Sequence, residues 1–173
     1  MKIKNILNNF PKKRPQLPNK IKKIFDKFLL DNRQNFLSDL MEKWLHYSIK
    51  DRKTTKTVLE IGAGTLNHFQ YENLDKIYDI IEPKEFLFRK SILKKKINKI
   101  HKNIKNCKSL YYDRIISCAV LQYHTNLPDL LYQSSIKLKK NGYHQHSIPC
   151  EGYPMWDLTR FLIRGLIFKI KYG

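Results

Sequence analysis

Two glycines and two glutamates in this chain are spaced to hold a nucleoside. The segment Val58-Leu59-Glu60-Ile61-Gly62-Ala63-Gly64-Thr65-Leu66-Asn67 is an apolar run that ends in an acid, with glycines following at alternate positions. Without a Cβ, a glycine backbone can take positive φ and let a ligand lie against it, so the run reads as a buried strand passing into a ligand-facing turn. The next apolar run, Ile77-Tyr78-Asp79-Ile80-Ile81, closes on Glu82, which lies 18 residues after Gly64. That is near the offset of about 20 at which an acid reaches the hydroxyls of a ribose. A pyrophosphate-binding loop usually carries a third glycine, and here Leu66 and Asn67 occupy its place. Glu60, two residues before Gly62, would repel a pyrophosphate and suits a cofactor whose loop-facing end is cationic.

S-adenosylmethionine (SAM), with an ammonium, a sulfonium and no phosphate, has that character. The segment resembles motif I of the class I SAM-dependent methyltransferases, and Ile81-Glu82-Pro83 resembles their second motif. Tyr112-Asp113-Arg114-Ile115-Ile116-Ser117-Cys118-Ala119-Val120-Leu121 is similar to the family's fourth strand, and Leu138-Lys139-Lys140-Asn141-Gly142-Tyr143 to the turn into the fifth. Four motifs in the family's order cover residues from about 56 to 150. The resemblance implies SAM as cofactor, held by Glu60, Gly62, Ala63, Gly64, Glu82 and Ala119. It also implies an enzyme that moves a methyl group to a small-molecule or glycan acceptor. Many members use an acid after the third strand to hold the adenine, but no carboxylate occurs between Glu85 and Asp113.

Methyl transfer is an in-line displacement, so the protein's tasks are positioning and removal of an acceptor proton. Candidate bases follow strands four and five. His124 ends the turn Leu121-Gln122-Tyr123-His124, where the family often reads Leu-Glu-His, so the acid has become Gln122 and the histidine is displaced by one. Glu151 follows Pro149-Cys150 in a segment, Ser147-Ile148-Pro149-Cys150-Glu151-Gly152, that resembles a turn of bacterial methyltransferases linked to small molecules or surface glycans. His144 and His146 alternate on one face of strand five and read as rim histidines, since two ligands without a third do not make a metal site. Two other readings stay open. One is a non-catalytic, degenerate SAM-binding protein. The other is an RNA methyltransferase, although the Pro-Pro-Tyr/Phe motif of base-amino methyltransferases is absent.

The elements that must position these residues form a Rossmann-like α/β fold: an open, mostly parallel sheet with flanking helices, preceded by an N-terminal helical extension. Strands are predicted near 57–61, 77–81, 115–120 and 143–148, with a weaker one within 97–104, and helices over 85–96 and 127–138. The chain reads as a basic helical extension over 1–53, a SAM-binding domain over 54–150 and a shortened C-terminal segment over 151–173. In the extension, Phe10–Pro18 reads as an extended lead-in. Ile21, Ile24, Phe25, Phe28 and Leu29 mark one amphipathic helix, and Phe36, Leu37, Leu40, Met41, Trp44 and Leu45 a second. Such a basic helix can lie on an anionic membrane or pack on the sheet as a lid, the role the resemblance favours. A full family member continues beyond strand five, whereas here only 23 residues follow Cys150. Strand five is therefore expected at an open edge, which invites a homodimer.

The 173 residues carry a net charge of +19: +10 over 1–56, +5 over 57–110 and +4 over 111–173. The core excess sits in a Lys, Ile and Asn run from Lys94 to Asn106. That vocabulary is the one an AT-rich coding sequence supplies, and it lacks the interleaved aromatics of RNA-recognition surfaces. Nucleic acid is thus a possible partner but not the favoured one. Cys107, Cys118 and Cys150 have no metal or disulfide spacing, which points to a reduced, cytoplasmic setting. No metal is expected, and no run approaches the roughly 20 apolar residues of a transmembrane helix.

Overall fold

The computed structural model describes residues 18–31, 36–53, 55–73, 75–149, 166, 169 and 170. Residues 10–17 of the lead-in, Cys150, Glu151 and most of the apolar 156–172 segment lie outside the described residues. The chain divides into two compact units, one containing His46–Ile148 and the other containing the segment up to Leu45 and the residues after Ile148.

In the larger unit the strands are β1 (Thr57–Ile61), β2 (Ile77–Ile81), β3 (Lys99–His101), β4 (Tyr112–Cys118) and β5 (Leu138–Ser147). They form one sheet in the order β3-β2-β1-β4-β5, with every pairing parallel. This is the Rossmann-like arrangement expected from the sequence. β1 and β2 have the predicted bounds, and they pair in step from Thr57 opposite Ile77 to Ile61 opposite Ile81. Alternation of side chains across the pleat gives each face its own core. Leu59, Ile61, Ile81, Tyr112, Ile115, Leu121 and Leu130 fill one. Val58, Leu66, Phe69, Tyr78, Ile80, Phe88 and Ile116 fill the other.

The connections depart from the helices expected between strands. Between β1 and β2 there is one 3-10 turn, Asn67–Tyr71. The predicted helix over 85–96 is instead two 3-10 turns, Glu85–Leu87 and Ile92–Lys96. Ser91 breaks it: its backbone is extended (φ −74°, ψ 129°) and its side chain accepts the Leu93 N–H, so helical hydrogen bonding stops and restarts there. The helix near 127–138 is present as Leu127–Lys137. Asn126 caps it by accepting from the Asp129 N–H, and Pro128 sits in its first turn. β5 begins earlier than expected. Leu138 pairs with Tyr112, then the register shifts so that Tyr143 pairs with Arg114, with the segment between them bulging out.

In the smaller unit the two predicted amphipathic helices are α1 (Asn19–Asp31) and α2 (Phe36–Ser48), the latter running into the larger unit at His46; Leu127–Lys137 is α3. Leu45 of α2 is buried while Leu40 and Trp44 are exposed.

Candidate functional site

The predicted cofactor residues meet at the carboxyl ends of β1, β2 and β4. Gly62 (φ +72°) and Gly64 (φ +54°) both lie in the left-handed region that glycine enters without strain. Gly62 N–H donates to the Ile81 carbonyl at 2.8 Å, which ties the loop to the end of β2. A Cβ on Gly62 would also stand 2.9 Å from the Val120 Cβ, so loop one and the loop after β4 touch at a point where only hydrogen fits. Glu82 closes the arrangement. One carboxylate oxygen accepts the Gly64 N–H at 2.9 Å and the other the Lys84 N–H at 2.9 Å. Its side chain is fixed by two backbone donors, and a carboxylate has about four acceptor positions, so capacity remains for a diol. Ala63 is buried between the two glycines.

Ala119 is strained. Its φ is +52°, a region that costs an L-residue roughly 1–2 kcal/mol. The strain is held from two sides. Ala119 N–H donates to the Ser147 carbonyl at 2.8 Å, and its carbonyl accepts from Gln122 Nε2 at 3.0 Å. Strain of this kind concentrates at ligand sites, and here it turns the chain sharply beside Val120. Gln122, which stands where the family often has an acid, is thereby committed to holding the backbone.

Glu60 lies beneath the loop, facing the core rather than the rim. It is 1% exposed, and Tyr78 Oη donates to its Oε2 at 2.9 Å. Burial pushes its carboxyl up to about 8, against the lowering effect of the Tyr78 hydrogen bond. At neutral pH this group keeps its proton unless a cation comes close. Tyr78 went unnoticed in the sequence because it looked like one more apolar residue of strand two.

The candidate bases differ in placement. His124 is exposed at the end of the 3-10 turn Leu121–Tyr123, and its Nδ1 accepts the Asn126 N–H at 3.3 Å. Glu151 lies outside the described residues. His144 and His146 share a face of β5 as expected, with ring centroids 5.3 Å apart, and His146 Nδ1 lies 2.8 Å from Ser117 Oγ. Burial lowers both imidazoles, His146 to about 4, so they stay neutral. Among the described residues no three His, Cys, Asp or Glu side chains are grouped to hold a metal ion, and no helix is long and apolar enough to cross a membrane.

The charged residues that sequence reading missed lie toward the amino ends of the strands. Arg114 is fully buried in β4. It donates to Glu72 Oε1 at 2.7 Å, to Gln145 Oε1 at 3.0 Å and to the Ile49 carbonyl. Lys76 bonds Glu72 Oε2 at 2.9 Å and also Asp51. His68 Nε2 lies 2.8 Å from Glu72 Oε1. Burial alone would raise the Glu72 carboxyl, but hydrogen bonds from His68, Arg114 and Lys76 hold it below its ordinary value. A carboxylate only accepts, so His68 Nε2 carries the hydrogen; its Nδ1 then accepts from His46 Nδ1, 3.3 Å away. Asp113, which opens the fourth strand motif, also works at this end. It accepts from Thr57 N–H at 2.9 Å, Thr57 Oγ1 at 2.8 Å and Lys139 Nζ at 2.8 Å, so it clamps strands together far from the cofactor loop.

No protein-family model matches the chain, and no curated protein matches it. Solved structures do. A Methanococcus maripaludis protein, assigned as an S-adenosyl-L-methionine-dependent methyltransferase, matches 95% of this chain and 79% of its own at 15% identity, with a TM-score of 0.60. The assigned methyltransferase solved with the Haloferax volcanii activator Trm112 matches 70% of this chain and 58% of its own at 12% identity, TM-score 0.55. The plantazolicin methyltransferase BpumL, solved with SAH, matches 74% of this chain at 23% identity, TM-score 0.51. This chain spans about half of BpumL, 52%. At these identities the likeness concerns architecture, and with the sheet order and the loop geometry it leads to one statement. The chain has the fold of the class I SAM-dependent methyltransferases.

Proposed function

We propose that this protein binds SAM at the carboxyl ends of β1, β2 and β4 and transfers its methyl group to a small-molecule or glycan acceptor. The observation that carries the reading is Glu82: an ionisable side chain at the end of β2, fixed by the Gly64 and Lys84 amides, with acceptor capacity left for a ribose diol. Gly62, Ala63 and Gly64 supply backbone against which the methionine end lies. Glu60 supplies a buried carboxyl that a nearby ammonium would ionise, and Ala119 bounds the adenine side. When bound, SAM supplies an electrophilic methyl on a sulfonium. The chain's share is then to exclude water, orient the acceptor and take its proton. His124 is placed for the last task, since Nδ1 is occupied by the Asn126 amide and Nε2 remains to accept. Glu151 is the second candidate.

Isothermal titration tests the cofactor. Wild-type protein should bind SAM, and Glu82→Ala should weaken binding by about 30-fold or more, the scale of two lost hydrogen bonds to a charged group. No heat from folded wild-type protein would overturn the assignment. A non-catalytic SAM-binding protein is the second reading, favoured by Gln122 being tied to the Ala119 carbonyl. SAM binding without SAH release across a broad acceptor panel selects it. A cytoplasmic setting and a homodimer through the outer edge of β5 belong to the same proposal. β5 ends the described sheet and Cys107 and Cys118 are free thiols, and size-exclusion chromatography showing a stable monomer would remove the dimer.

A further inference from the structure

The edge of the sheet formed by β3 carries a charge surface that the fold does not use. Residues 89–108 contain nine basic side chains and no acid: Arg89, Lys90, Lys94, Lys95, Lys96, Lys99, Lys102, Lys105 and Lys108. All except Lys94 are exposed. Lys94 is also the one that meets a carboxylate, Glu85 at 3.3 Å; among the described residues the other eight make no ion pair. The acid-free stretch runs from Phe86 to Tyr112, whereas the fifteen residues before it hold five acids: Glu72, Asp75, Asp79, Glu82 and Glu85. An AT-rich vocabulary accounts for Lys, Ile and Asn, but it supplies Asp and Glu readily on the other side of the boundary. The exclusion of acids is local to this edge. In a folded chain nine like charges on 20 residues repel one another, and only an external polyanion relieves that repulsion.

The edge also adjoins the candidate cofactor site. The carbonyl of His101, the last residue of β3, accepts the Glu82 N–H at 3.2 Å. We propose that this edge binds the phosphate backbone of a single-stranded nucleic acid and holds it beside the Glu82 rim. Within 89–108 the described backbone is 3-10 turns and a three-residue strand, so no helix is available to enter a duplex groove. The segment has no aromatic residue on which a base could stack. Contact is therefore through lysine ammoniums to phosphates: tolerant of sequence and steep in salt. It adds a macromolecular ligand to a reading that otherwise needs only a small acceptor, and it does not depend on SAM binding.

The test uses the full chain and a fluorescent 20-nucleotide oligouridylate, followed by anisotropy from about 50 to 200 mM salt. Wild type should bind, with affinity falling by about tenfold or more over that range. The triple variant Lys95→Gln, Lys99→Gln, Lys102→Gln should bind at least tenfold more weakly and lower the salt slope by about 2, since each phosphate contact on a single strand contributes about 0.7. A control triple, Lys20→Gln, Lys22→Gln, Lys23→Gln, carries the same charge loss on α1 and should change affinity by less than threefold. Circular dichroism and SAM titration on both variants separate loss of this surface from loss of fold or cofactor site. The proposal is overturned if wild type does not bind at 50 mM salt, if both triples weaken binding equally, or if the protein binds phosphatidylserine vesicles and not the oligonucleotide.

Discussion

The two ends of the sheet handle charge in opposite ways. Toward the amino ends every ionised group has a partner inside the protein: Asp51 with Lys76, Lys76 with Glu72, Glu72 with Arg114 and His68, and Asp113 with Thr57 and Lys139. At the carboxyl ends the polar groups are oriented but unfinished. Glu82 is fixed by two amides and keeps lone pairs, Glu60 is buried against Tyr78 alone, and Gly62, Gly64 and Ala119 hold left-handed backbone. A closed network gains nothing from a ligand; an oriented, incomplete one does. The difference assigns stability to one end and binding to the other, and it can be broken from either side.

The largest effect should come from Arg114→Met. Removing one partner from a buried ionic network costs about 3–5 kcal/mol, because Glu72 stays buried with fewer donors. Urea unfolding should show that loss, while SAM affinity of the folded fraction stays within about threefold of wild type. A loss of SAM binding in a variant of unchanged stability would erase the division between the two ends. Next is Gly62→Ala. Positive φ costs a non-glycine residue about 1–2 kcal/mol, and crowding against Val120 adds to it. The double variant with Val120→Ala should recover the crowding component and leave the backbone component, which a double-mutant cycle measures. Full additivity would mean that the two loops do not touch as described.

A smaller effect should follow Asp113→Asn. Hydrogen bonds from the Thr57 amide and hydroxyl and from Lys139 hold this carboxyl down to about 2, against the raising effect of burial. The amide keeps some of those contacts, so the cost should be about 1 kcal/mol of stability, with no change in SAM affinity. The result matters because the sequence places Asp113 in a family motif, whereas the structure gives it a role at the opposite end of the sheet.

How much of this was readable in advance follows from the range of each interaction. β1 and β2 showed their bounds because a buried parallel strand is an apolar run, and each ends at an acid. The positions of Gly62, Gly64 and Glu82 followed from spacing alone. The Arg114 network did not, because its pairs join residues 25 to 42 apart and nothing local marks an arginine within Tyr112-Asp113-Arg114-Ile115-Ile116 as buried. The helix expected over 85–96 failed for a reason that was visible but unweighted: Ser91 offers its side chain to Leu93 N–H and restarts the turn. Glu60 was recognised by position, but its burial and its bond to Tyr78 depend on the pleat, which puts both on the same face of neighbouring strands.

The smallest and most discriminating prediction concerns protons, since the two ends titrate with opposite signs. Burial lowers His68 below its ordinary 6.5, so the folded chain resists protonating it and stability falls as the pH drops below about 6.5. Glu60 is the reverse. Its folded value of about 8 exceeds its ordinary 4.5, so its contribution is complete below about 4.5 and is lost as pH rises through about 8. Between about 6.5 and 8 the Glu60 slope is left unopposed by His68, and stability should decline with pH there; Glu60→Gln should flatten that limb and leave the acid limb unchanged. SAM adds the decisive step. If its ammonium meets Glu60, binding at pH 7 ionises a carboxyl that is about nine-tenths protonated and releases close to one proton. Titration calorimetry in two buffers of different ionisation enthalpy counts that proton. A count near zero in wild type, with affinity independent of pH, would remove Glu60 from the cofactor site and leave it as a buried partner of Tyr78.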